Sequence, residues 1–210
     1  MNSKLIFSGI IIAGLIIAGA IIYTNDDSVN SQKASLEEAT KDEIKEGSNI
    51  KGNPEASISI VEFSDFECSY CAKFNQTMDQ IMKDYPNNIK WSYRHFPLSG
   101  HKDARSAAEA SECAAEQGKF WEFHDGLFEN QSRLGEGLYL ELAQKLELDP
   151  DLFKECFESR KHKDKVEEDY QAGIKAGVKG TPGNFINGQP LGGAVPYEVI
   201  KKAIESVLNN

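Results

Sequence analysis

Positive charge is scarce in this 210-residue sequence: 23 Lys and Arg stand against 33 Asp and Glu, for a formal net charge of −10. That balance argues against nucleic acid or an anionic membrane face as partner and points instead to solubility. The length is too small for two full domains of ordinary size, although one domain with appendages can bury a sizeable core. No internal repeat is visible. Cysteine is sparse too, with four residues, and Cys113 and Cys156, 43 positions apart, match no metal-ligand spacing with each other. Long apolar runs are absent after residue 23, and the single one before it therefore stands out.

That run is Leu5 to Tyr23, 19 residues without a charge, which is long enough to span a bilayer. Lys4 precedes it and Asp26 and Asp27 follow it, so the positive-inside rule puts the N-terminus in the cytoplasm and everything after Tyr23 outside. Ala18-Gly19-Ala20 has the small-residue form of a cleavage site, but the apolar run continues past it. Residues 1–23 are thus expected to be an uncleaved anchor, with a cleaved signal as the alternative; both give the same compartment. Residues 24–51 are polar and charged and read as a solvated linker, which leaves 52–210 as the folded domain.

In that domain Ile58, Ile60, Val61 and Phe63 form a short β-rich run that leads directly into Cys68-Ser69-Tyr70-Cys71. Phe74, Met78, Ile81, Met82 and Tyr85 then recur with helical spacing until Pro86-Asn87-Asn88. A second strand is expected from Ile89 to Phe96. The stretch from about 101 to 176 reads as helices at Ala104 to Gln117, Phe120 to Phe128, Leu138 to Leu146 and Leu152 to Ser159, with a longer charged one ending at Ala176. Asn184-Phe185-Ile186, a turn at Asn187-Gly188, Pro190-Leu191 and a last helix after Pro196 complete the pattern. The fold class is α/β, with strand, helix, strand, helical block, hairpin and helix in that order.

A cysteine at the first turn of a helix faces unpaired backbone N–H groups and the positive end of the helix dipole, which favour its thiolate. Cys68 is expected there, accessible and reactive, while Cys71 falls in register with Phe74 and Met78 on the buried face and serves as the resolving thiol. The pair would work by thiolate attack on a disulfide through a mixed disulfide. Half a zinc site fits poorly, because 23 residues separate Cys71 from His95 in the candidate pair His95 and His101. A purely structural link would close too small a loop to restrict the unfolded chain much.

The segment Phe63-Ser64-Asp65-Phe66-Glu67-Cys68-Ser69-Tyr70-Cys71, the helical block and Gly180-Thr181-Pro182 together resemble the DsbA-like family of thioredoxin-fold proteins, from Ala56 to the C-terminus. The resemblance implies a thioredoxin-like fold with an inserted all-helical block, preceded here by a transmembrane helix. It implies that Pro182 is a cis-proline beside the redox pair and that the Thr181 backbone pairs with substrate. It also points to Glu62, six positions before Cys68, as the group that exchanges a proton with Cys71; an exposed glutamate on an edge strand is the alternative. The expected activity is a dithiol oxidase acting on exported protein thiols, reoxidised by a membrane quinone-linked oxidase of the DsbB type, with no cofactor or metal of its own. Two features differ from the strongly oxidising relatives: Ser69-Tyr70 lacks their histidine, and Thr181 before the proline also occurs in isomerases and reductases. A reductase or isomerase with the same site is the first alternative, and a non-catalytic chaperone or binding module the second. Cys113 and Cys156, both in the helical block of an exported chain, are expected to form a structural disulfide, with a second redox shuttle or two buried thiols as alternatives.

Overall fold

The computed structural model describes Ile44 and residues 46–209. The chain divides into two units, 1–42 and 43–210, and all that follows concerns the second. The expected anchor at 1–23 and most of the linker lie outside the described residues. Among the described residues no helix is long and apolar enough to cross a membrane.

Five strands form one sheet in the order β1 (Asn49–Gly52), β3 (Ile89–His95), β2 (Ile58–Ser64), β4 (Gly183–Ile186) and β5 (Gln189–Gly192). Only β2 and β3 are parallel, and α1 (Ser69–Asp84) makes the crossover between them. β2 alternates its side chains between two buried faces, as a central strand covered on both sides must. Ile58 and Ile60 join Trp91 of β3, Phe74, Met78 and Ile81 of α1, and Ile200 and Ile204 of the last helix, α7 (Tyr197–Leu208). Val61 and Phe63 point the other way, onto Phe96, Phe185 and Ala172.

Between β3 and β4 lies the helical block: α2 (Ala104–Ala115), α3 (Phe120–Glu129), a 3-10 turn (Gln131–Arg133), α4 (Glu136–Lys145), α5 (Pro150–Glu158) and α6 (Lys163–Lys175). Its core centres on Phe123, Leu127, Tyr139, Leu142 and Phe153 and is continuous with Phe66, Cys68, Cys71 and Tyr93 of the sheet side. A buried polar knot ties block to sheet. Glu112 of α2 accepts from Asn49 Nδ2 at 2.6 Å, lies 2.8 Å from His95 Nε2, and pairs with Lys165 of α6 at 3.1 Å. Burial pushes this carboxyl up, but the His95 and Lys165 contacts prevail and bring it to about 2.

Several sequence boundaries are corrected. The linker expected to reach Lys51 ends earlier, because Asn49–Gly52 pairs with β3 and Ile44 is buried. The polar residues there are used by tertiary partners: Asn49 holds Glu112, and the Lys51 ammonium lies 5.2 Å above the Trp121 ring. α5, expected from Leu152, begins two residues earlier at Pro150, with the Asp149 carboxylate accepting from the Asp151 and Leu152 amides and proline in the first turn. α4 likewise begins two residues early, at Glu136. α2 stops at Ala115, and Gln117 turns its side chain to the Asp149 backbone at 2.7 Å.

Candidate active site

β2 delivers the chain to the sheet's C-terminal edge, where Asp65 organises the turn into α1. Its carboxylate, itself buried, accepts from the Glu67 amide at 2.7 Å and the Leu98 amide at 2.8 Å and meets His101 Nδ1 at 2.7 Å. Cys68 is then the N-cap of α1, and no side chain caps this helix start. No side chain thereby competes with the sulfur for the first-turn N–H groups.

Cys68 and Cys71 are free thiols. As a neutral thiol Cys68 donates to the Thr181 carbonyl at 3.4 Å. Its pKa falls from 9.0 to about 5, first through the hydrogen bond with Cys71, then through the Thr181 side chain and the backbone N–H groups of Cys71 and Tyr70, against the opposing effect of burial. Burial pushes the Cys71 thiol strongly upward, and the Cys68 and Glu62 charges add to this. The two sulfurs therefore differ in the sense the helix register suggests. Accessibility is a correction: Cys68, expected to be open, is only 6% exposed. Its carbonyl contact comes from Thr181, 113 residues away in sequence. Tyr70, beside it, is 60% exposed.

The Thr181–Pro182 peptide bond is cis. An open groove runs along this loop, lined by Val178, Thr181, Pro182, Asn184, Pro190 and Gly193. Glu62 lies on a central strand, with Tyr93 on one side and Asn184 on the other, and is 1% exposed. The edge-strand alternative is thus excluded. Its Oε2 accepts from the Trp91 indole at 3.1 Å, while Oε1 has no hydrogen-bond partner. Burial raises its pKa from 4.5 to about 8.

Cys113 and Cys156 are joined at 2.05 Å, linking α2 to α5. They form with His162 the group of potential metal ligands found among the described residues, but sulfurs tied to each other offer no thiolates. The imidazoles of the candidate zinc pair each meet a carboxylate, His95 on Glu112 and His101 on Asp65. His124 is fully buried within the aromatic cluster and contacts Asp125 at 2.8 Å.

Gln131, from the 3-10 turn of the helical block, was not legible as a site residue. Its Nε2 donates both to the Phe66 carbonyl at 2.8 Å and to the Cys68 carbonyl at 3.0 Å. A polar residue in Asn130-Gln131-Ser132-Arg133 carries no sequence mark that separates it from its neighbours.

A family model described as thioredoxin matches residues 44–206. Among curated proteins, the Na(+)/H(+) antiporter NhaA 3 of Salinispora tropica is 37% identical over 159 residues, which are 75% of this chain and 24% of that protein. The chain thus spans about a quarter of the length of the curated relatives it matches, and ion transport belongs to the name of those whole proteins. Among solved structures, BdbD of Bacillus subtilis in its oxidised form is 30% identical, with a TM-score of 0.70 over 77% of this chain and 92% of that one. The thiol-disulfide exchange protein α-DsbA2 of Wolbachia pipientis has a TM-score of 0.74 at 21% identity, covering 86% of this chain and 98% of that one, a likeness of fold.

Proposed function

We propose that this chain, which belongs to the thioredoxin family and within it to the DsbA-like thiol-disulfide oxidoreductases, is a dithiol oxidase that introduces disulfides into exported proteins. A substrate thiolate attacks Cys68 of the oxidised pair and Cys71 leaves. A second substrate thiolate then attacks the mixed disulfide, releasing oxidised product and a Cys68 thiolate. Thr181 and Pro182 present backbone to the substrate chain, and Glu62 supplies the proton that Cys71 takes up. Residues 5–23 hold the domain at the outer face of the cell membrane, where a quinone-linked oxidase of the DsbB type restores the disulfide.

The observation that carries this reading is the place of Cys68 at the N-cap of α1, where no side chain caps the helix and where Cys71 and the first-turn amides hold its thiol well below the usual range, at about 5. A stabilised thiolate favours the reduced pair, which makes the oxidised pair a ready acceptor of electrons. The test is the reduction potential of Cys68/Cys71, equilibrated against glutathione. A value near about −120 mV fits the oxidase, while one near about −270 mV assigns the same site to a reductase. Resistance of reduced Cys68 to alkylation would assign the fold to a non-catalytic binding role.

A further inference from the structure

Three buried oxygens lie on the central strands, where Tyr93 packs in one core with Cys68 and Cys71. Glu62 and Ser64 share one face of β2, two residues apart, and Tyr93 of β3 lies beside Glu62 in the parallel register. Each of the three residues is no more than 1% exposed. Glu62 Oε1, Ser64 Oγ and Tyr93 Oη all lack a closed hydrogen bond, although buried polar atoms are nearly always partnered. The Ser64 hydroxyl nevertheless lowers the pKa of Glu62, of Cys71 and of Tyr93 alike. It acts on all three groups and makes no closed hydrogen bond with any of them. A serine hydroxyl has one rotor, one proton to give and lone pairs to receive another.

We infer that Ser64 is the proton bridge between Glu62 and Cys71, with Tyr93 beside it as the group that limits its rotation. This rests on the thiol-exchange reading above and extends it by one residue. When the Cys68–Cys71 bond breaks under attack by a substrate thiolate, its electron pair goes to the Cys71 sulfur. The Ser64 proton moves to that sulfur and the Glu62 carboxylic proton moves to the Ser64 oxygen, leaving a Cys71 thiol, an intact serine and a Glu62 carboxylate. Reoxidation by a disulfide runs the relay backwards. The Cys68 thiolate attacks the oxidant, releasing one thiolate from it. Cys71 passes its proton through Ser64 to the Glu62 carboxylate, attacks the Cys68 sulfur and releases the second thiolate.

The experiment mixes the reduced full-length protein with glutathione disulfide and follows two steps, formation of the mixed disulfide at Cys68 and its resolution by Cys71. Ser64→Ala is expected to form the mixed disulfide at the unaltered rate and to resolve it more slowly, on the order of 100-fold. Ser64→Thr, which keeps a hydroxyl, should resolve it as the unaltered protein does. Glu62→Gln should slow the same step, and the double variant should be no slower than the slower single one. Unchanged resolution in Ser64→Ala, with or without slowing in Glu62→Gln, overturns the bridge. Failure of the unaltered protein to form any mixed disulfide would instead overturn the thiol-exchange reading. A proton inventory of the unaltered protein in mixed light and heavy water needs no variant: a curved plot for resolution fits two protons moving together, and a straight one overturns the relay.

Discussion

Gln131 holds Cys68 by its carbonyl, at 3.0 Å, from a 3-10 turn 63 residues further along the chain. The same amide nitrogen holds the Phe66 carbonyl at 2.8 Å, so the turn before the nucleophile is fixed by the helical block. The first-turn N–H groups that converge on the Cys68 sulfur depend on the position of that turn. Gln131→Ala is therefore expected to cost about 1–2 kcal/mol of stability and to raise the Cys68 titration midpoint above about 5. Denaturant unfolding and ultraviolet absorbance of the thiolate check the two parts; a midpoint that stays in place would reduce Gln131 to a packing role.

Glu62 and Cys68 work against each other in the pH dependence of the reduced protein. The Cys68 pKa falls from 9.0 to about 5 on folding, so its contribution is present above the unfolded value and is lost as pH drops through about 5. The Glu62 pKa rises from 4.5 to about 8, so its contribution is present below 4.5 and is lost as pH climbs through about 8. Between about 5 and 8 the two slopes oppose each other, each at most about 1.4 kcal/mol per pH unit. Glu62→Gln removes the falling part, and its reduced form should gain stability with rising pH more steeply than the unaltered protein. Parallel curves from urea titrations at several pH values would contradict the raised pKa.

The bridge between Cys113 and Cys156 closes a loop of 43 intervals. Replacing both residues by Ala should lower stability by about 4 kcal/mol in the chain-entropy account. Because these sulfurs are only 1% and 5% exposed by residue, they should stay joined at glutathione ratios that fully reduce Cys68 and Cys71. Alkylation and mass measurement across the redox titration would count two thiols per chain; a count that reaches four in the same transition would make the second pair a shuttle.

Asp65 and His101 form a pH-sensitive brace on the other side of the turn. The imidazole pKa is raised because the hydrogen bond and charge of Asp65 outweigh burial, which lowers it. The brace is complete below about 6.5 and weakens as pH rises through the folded value. Asp65→Asn should cost about 1.5–3 kcal/mol at pH 5, and less at pH 8. Thermal unfolding at the two pH values distinguishes this from an equal loss at both, which would leave the contribution to the amides of Glu67 and Leu98 alone.

The redox motif and its helix are legible because hydrophobic period and chain order report on short-range structure. Phe74, Met78 and Ile81 define the buried face of α1 in sequence and in space, and Cys71 follows from them. What could not be read depends on partners far along the chain. β1 has little apolar content, and its polar residues make sense only with Glu112, Trp91 and Trp121 in place. Glu62 could not be assigned to a central or an edge strand because β3 and β4, which flank it, are separated by the entire helical block. The cover over Cys68 and the clamp by Gln131 are long-range in the same way.

The placement of Thr181 beside Cys68 also has a temporal meaning. During synthesis the C-x-x-C segment is made well before residue 181, and until the later strands pair with β2 its thiols lack the Thr181 side chain, which helps to make one of them acidic. A partly made or proteolytically shortened chain would carry the motif with weaker reactivity. The chemistry is thus switched on by completion of the chain, and a truncated product is correspondingly less apt to form stray disulfides with its neighbours.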